Sequence, residues 1–182
     1  MDDEPKQIDI TGKTSRYMIK KLTKKKELPK TRVILNEWNI SSDYFNIDKQ
    51  LSVLTEDSCR TIKEEIEKKI NSYKHQDILK KRYDENNIID YHKTRQLILD
   101  CNLTCHYCKE NVFILYEKVR DMNQWTLDRI DNDLGHIKNN VVISCLKCNL
   151  NRRRRSADKF LFTKQMVITR ENISDSSTNE KE

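Results

Sequence analysis

The chain has 182 residues and a formal net charge of +6, with charged residues (35%) almost as numerous as hydrophobic ones (36%). That length suits one domain, or a small one with an appended helical region, and the thin apolar share predicts a modest core and much solvated surface. No apolar run approaches the length needed to cross a bilayer and no secretory leader is visible, so the reading excludes a membrane partner and predicts an intracellular chain, cytoplasmic or nuclear.

Residues 1–54 read as a basic, partly flexible N-terminal arm. "KKLTKKKELPK", which ends at Lys30 just after Pro29, is a solvated tail or a short basic helix with loose ends. "RVILNEWNISSDYFNI" has apolar clusters without a period and predicts irregular structure. Residues 55–100 form a helical region. Ile62, Ile66, Ile70 and Tyr73 recur at steps of four, four and three, which lays one apolar stripe along a helix running from Thr55 to about residue 83. Thr55 or Ser58 is its candidate cap, with acids in the first turn, where the helix dipole favours them. "ENN" breaks it, and "DYHKTRQLILD" predicts a second helix with Tyr91, Leu97 and Ile98 inward. His75 and His92 read as solvent-facing or structural.

Residues 101–170 have a different texture. "CHYCKENVFILYEKV" predicts a knuckle followed by a strand, and "QWTLDRI" a second strand. "DNDLGHIKNN" reads as a polar loop and "VVIS" as another strand, with the next cysteine pair opening a helix. Ser156 can cap a last helix that packs back through Phe160, Leu161 and Met166. Trp125 and Leu127 alternate with Thr126 and Asp128, which predicts a half-buried strand with its acid on the polar face. Residues 171–182 have the composition of a disordered tail.

Four of the six cysteines form two C-x-x-C pairs, Cys105/Cys108 and Cys145/Cys148. In a reducing compartment such pairs hold metal more often than they form disulfides. Two C-x-x-C turns set four thiolates at the corners of a tetrahedron, the shell of a structural zinc with no open position. Cys101 reads as packing.

"CHYC", then "LDRIDN", then "GHIKNNVVISCLKCN" followed by arginines resembles a zinc-knuckle HNH endonuclease over about residues 100–155. The resemblance implies a ββα-metal motif braced by the four-cysteine zinc; with the helical N-terminal region and the C-terminal helix read above, the expected fold class is α+β. It implies hydrolysis of nucleic-acid phosphodiesters, DNA above all, with Mg2+ or Mn2+. Residue by residue, it makes Asp128 and Asn149 the ligands of the catalytic cation and Asn140 the residue that holds the loop and orients the catalytic histidine. Hard oxygen donors of this kind suit Mg2+, which keeps several waters beside a substrate phosphate.

The sequence departs from the family at one position. Histidine usually follows the metal-binding acid, and here Arg129 does. Arginine stays protonated and cannot act as a base. His136 is the only histidine in the motif and is either the general base or a loop residue bound to backbone; Asp131 offers a second carboxylate. Arg129 can clamp phosphate or pair with Asp131 or Asp133. Gly135 reads as a loop position that needs a positive φ. Arg152, Arg153 and Arg154 lie where sequence-blind contacts to the nucleic-acid backbone are expected. The competing readings are a basic module that binds nucleic acid without turnover, and an assembly protein whose long helix carries the function.

Overall fold

The computed structural model describes residues 11–23, 28–32 and 38–167. The expected disordered tail and most of the "RVILNE" stretch lie outside the described residues. The chain divides into two compact units after Lys30. In the first, α1 (Lys13–Thr23) forms a basic helix, opened by Gly12 at φ +100°. Among the described residues no helix is long and apolar enough to cross a membrane.

The second unit, from Thr31 onward, is a mixed α+β fold. The described residues from 38 to 54 pack in this unit, so the arm expected over residues 1–54 is shorter. Asn46 caps α2 (Ile47–Glu56) by accepting from the Asp48 amide at 2.8 Å, and α2 buries Val53 and Leu54 in the core. Of the two starts expected for the long helix, Thr55 and Ser58, the later lies nearer the observed one. Thr55 lies in the last turn of α2, and Asp57 turns left-handed (φ 53°) before α3 (Arg60–Leu79) begins. Neither Thr55 nor Ser58 caps α3. Cys59 stands at its N-cap without a side-chain bond, and no acid occupies the first turn. The reason is tertiary: Asp57 accepts the Tyr91 hydroxyl at 2.5 Å, which fixes the bend. Ile62, Ile66 and Ile70 are buried as their spacing demands. α4 (Tyr91–Asp100), capped by Asp90, buries Tyr91 and Ile98 against them.

The sheet has two antiparallel strands, β1 (Trp125–Arg129) and β2 (Val141–Cys145), paired Trp125 to Cys145 and Asp128 to Val142. β2 leads directly into α5 (Leu146–Arg152), and Ser156 opens α6 (Ala157–Gln165). The strand expected after the first cysteine pair does not form. Its residues make isolated bridges only, Phe113 with Gln124 and Thr104 with Asn111. The fully buried Gln50 takes the place of a neighbouring strand. Its Oε1 accepts from the Ile114 and Leu115 amides at 2.8 and 3.1 Å, and its Nε2 donates to the Leu115 carbonyl at 2.9 Å. β1 also departs from expectation, being buried on both faces. At the chain's far end Phe160 packs inward and Leu161 is half-buried, whereas Met166 stands exposed.

Replacing Gln50 with Leu keeps the volume but orphans two buried N–H groups and a carbonyl, each costing about 1–3 kcal/mol. Urea unfolding of Gln50→Leu is expected to show a loss of about 3 kcal/mol or more; an unchanged midpoint contradicts this role.

Candidate metal centre and adjoining polar cluster

The four cysteines of the two pairs come together. Their sulfurs all lie within 4.8 Å of one another. The first pair sits on a tight knuckle in which the Lys109 amide donates to the Cys105 carbonyl at 3.1 Å, and Lys109 is left-handed. The second pair straddles the junction of β2 and α5. Cys145 is the N-cap of α5, and its sulfur accepts the Cys148 amide at 3.3 Å. The Cys145 amide in turn donates to the Cys105 sulfur at 3.2 Å. The Cys108–Cys145 sulfur separation of 3.8 Å matches the edge of a tetrahedron with metal–sulfur bonds of about 2.3 Å. The cluster can hold a metal ion such as zinc, and its all-sulfur donor set suits a soft or borderline cation. Cys101 stays outside it and turns its thiol to the Ile98 carbonyl at 3.3 Å.

Charge explains why such a cluster favours a dication. The Cys145 thiol donating to Cys105 draws the Cys105 pKa well below the ordinary thiol value. That same bond, then burial, raises Cys145. Burial, then the Cys105 charge, pushes Cys148 up to about 12. Without a cation the sulfurs resist collective ionisation; a bound dication reverses that preference.

Next to the sulfurs lies a polar cluster on β1. Asp128 is buried, and both its oxygens are engaged. Arg152 donates from Nε to Oδ2 at 2.6 Å and from Nη2 to Oδ1 at 3.0 Å. The Tyr107 hydroxyl, between the first two cysteines, donates to Oδ2 at 2.7 Å. Arg152 has no exposed surface. Its other N–H groups reach the Arg155 carbonyl at 2.5 Å, Asn132 Oδ1 at 3.2 Å and the Arg129 carbonyl. Arg152, expected on phosphate, is therefore an internal tie between α5, β1 and the loop.

Asn149 projects from α5 onto the same strand and donates to Thr126 Oγ1 at 3.1 Å. Thr126 and Asp128 share a strand face. Asn140 holds the 131–140 loop: its Oδ1 accepts the Asp131 amide at 2.8 Å, and its Nδ2 donates to the carbonyls of Asp131 and Gly135 at 2.9 and 3.0 Å. The Asp131 side chain is occupied locally, accepting the Asp133 amide at 2.8 Å.

His136 is buried and gripped by Asp77 of α3. Its amide donates to Asp77 Oδ2 at 2.6 Å, and its Nδ1 lies 2.9 and 3.0 Å from the two carboxylate oxygens. The imidazole stacks on Tyr73 at 4.4 Å, whose hydroxyl accepts the Leu127 amide of β1 at 3.2 Å. With Nδ1–H on the carboxylate, the ring's lone pair falls on Nε2. Burial lowers the His136 pKa below its ordinary value, against the opposing pull of Asp77. Gly135 has no positive φ. It is needed because a Cβ there would meet the Arg82 carbonyl oxygen at 2.4 Å and Asp77 Oδ2 at 3.0 Å.

Arg129 makes neither expected salt bridge among the described residues; its Nη1 donates to the Leu134 carbonyl at 3.0 Å. Arg153 and Arg154 are exposed. Three members of the cluster escaped the sequence reading. Asp77 carried a usable signal, since it continues the stripe of Ile70 and Tyr73 by one more step of four, and an acid on an apolar stripe calls for a buried partner. Tyr107 was legible only as a residue between two cysteines, and Tyr73 only as core.

No family model, curated protein or solved structure matches the chain.

Two outcomes are expected. Purified protein carries one equivalent of zinc, and stripping it lowers Tm by at least about 10 °C, as does Cys148→Ser, whereas Cys101→Ser leaves both metal content and Tm unchanged. The second concerns pH. Because the folded His136 pKa lies below its unfolded value, its contribution to stability is complete above the unfolded pKa of about 6.5 and is lost as pH falls toward the folded value. Urea titrations between pH 7.5 and 5 are expected to show a fall in stability that is smaller in His136→Gln; equal slopes in the two proteins contradict the assignment.

Proposed function

We propose that the chain is an HNH-type module that binds nucleic acid, DNA foremost, and hydrolyses its phosphodiester bonds with a divalent cation, Mg2+ or Mn2+, on a frame braced by zinc. The observation that carries this reading is the His136–Asp77 pair. The motif's weak point is its missing base, and here an imidazole is oriented through Nδ1 and kept neutral by burial, with Nε2 as proton acceptor. The partnering acid comes from α3, which gives the N-terminal half a part in the site. The order of β1, loop, β2 and α5 agrees with a ββα arrangement, and the 131–140 loop is stapled by Asn140 as the resemblance implies.

The cation fits less well. As folded, neither oxygen of Asp128 is free, and the Arg152 guanidinium lies where a cation would approach. Asn149 of α5 bonds to Thr126, on the face of β1 that carries Asp128, but Asp128 fits a cation only once Arg152 has left it. That ion pair favours a second reading: a zinc-braced module that keeps its grip on nucleic acid without cutting it.

Incubation of supercoiled plasmid with the protein and Mg2+ or Mn2+, against an EDTA control, separates the two. Hydrolysis predicts nicking that falls by about 100-fold or more in His136→Ala and disappears in Asp128→Asn, with circular dichroism verifying the fold of each variant. Asp77→Asn is expected to shift the pH–rate profile. Plasmid binding without nicking by the wild-type protein assigns the second reading, and nicking retained by Asp128→Asn overturns the first.

A further inference from the structure

The four consecutive arginines do not form one basic face. Arg152 turns inward to Asp128 and has no exposed surface. Arg153 ends α5 with a left-handed φ of 54°, which redirects the chain and splays the residues after it. Arg154 lines a shallow depression together with Asp131, Asp133 and Asp158, three acids that offset its charge. Arg153 and Arg155 line a cleft of about 570 Å³ between the end of α5 and α6, together with Arg152, Asn151, Phe160, Thr163 and Lys164; the Arg152 guanidinium is committed to Asp128.

No acid lines this cleft. The Arg155 guanidinium lies over the Phe160 ring at 4.8 Å and donates to the Asn151 carbonyl at 2.5 Å. The Lys164 ammonium lies 5.7 Å from the same ring. Arg153 and Lys164 make no salt bridge among the described residues. Three cations therefore face one concavity without a counter-charge in its lining. The volume falls within the range of about 300–1,000 Å³ typical of small-ligand clefts, room for a phosphate and its sugar. Guanidinium and ammonium donors beside the Asn151 amide make a set that recognises phosphate oxygens without reading bases.

We infer that this cleft seats the phosphodiester backbone of a nucleic-acid strand, with Arg153 and Lys164 as its principal contacts and Arg155 as a cation fixed over Phe160. The inference rests on the nucleic-acid reading above and moves the contact from the arginine run as a whole to the groove between α5 and α6. α5 also carries Cys148 and Asn149, so a strand seated there runs beside the metal cluster and the Asn149 edge of β1.

The test is fluorescence anisotropy of a labelled oligonucleotide titrated with full-length protein at several salt concentrations. Arg153→Gln/Lys164→Gln is expected to weaken binding by about 10-fold or more and to reduce the slope of log K against log salt by about 2. Lys118→Gln/Arg120→Gln, an equal loss of charge from exposed sites outside the cleft, is expected to change affinity less than about 2-fold. Equal weakening by both pairs means diffuse electrostatics and overturns the cleft. Unchanged binding by the cleft variant overturns it while leaving the nucleic-acid reading intact. Absence of binding by the wild-type protein overturns that reading and this inference together. Displacement of the oligonucleotide by equimolar pyrophosphate assigns the cleft to free phosphate and overturns the strand.

Discussion

Four sulfur atoms within 4.8 Å of one another impose the constraint on which the rest of the molecule depends. They bring together two stretches of chain that are 37 residues apart from Cys108 to Cys145, and they can hold a dication, which would favour their collective ionisation. The knuckle is thereby tied to the β2–α5 junction, and the His106 amide adds a bond to the Ile143 carbonyl at 2.8 Å. That attachment carries Tyr107 to Asp128. The two-stranded sheet is too small to stand alone. It is held by α5, which leaves β2 through the second cysteine pair, and by Tyr73 and Lys69 of α3, which bond to the Leu127 amide and the Trp125 carbonyl of β1.

Within that frame the decisive contact is between Arg152 and Asp128. Two buried charges meet a heavy desolvation penalty, which is offset here because the guanidinium has acceptors on every side and the carboxylate takes a third bond from Tyr107. Removing one partner of such a pair costs about 3–5 kcal/mol, since the other is left buried and uncompensated. Asp128 thus already has a structural role. A cation-dependent reaction asks it for another, and the two compete for the same oxygens. The sites that remain unspoken for lie to either side: the imidazole held by Asp77, and the uncompensated cations between α5 and α6.

Local chemistry was legible in the sequence, and tertiary substitution was not. Paired cysteines, the β-branched run of β2, the isoleucine stripe of α3 and the Ser156 cap each obey a short-range rule, and each reappears in the fold. The misread features share one cause, a distant group that supplied what local pattern lacked. Gln50 replaced a strand partner for residues 114–115, so a continuous apolar run that reads as a strand stayed irregular. Asp57 bonded to Tyr91 and set the boundary before α3, so the helix carrying the stripe starts at Arg60 and not at Thr55. Gly135 reads locally as a position needing a positive φ, although the pressure on it comes from the Arg82 carbonyl and the Asp77 carboxylate, more than 50 residues away in sequence. The arginine run was the hardest to read. Spacing predicts positive charge there, but which guanidinium turns inward depends on where Asp128 lies after folding.

X-ray absorption at the zinc edge of the purified protein tests the sulfur frame most directly. The account predicts a single shell of four sulfurs at about 2.3 Å. A shell containing nitrogen or oxygen, or protein that folds with these cysteines metal-free or joined as disulfides, contradicts it.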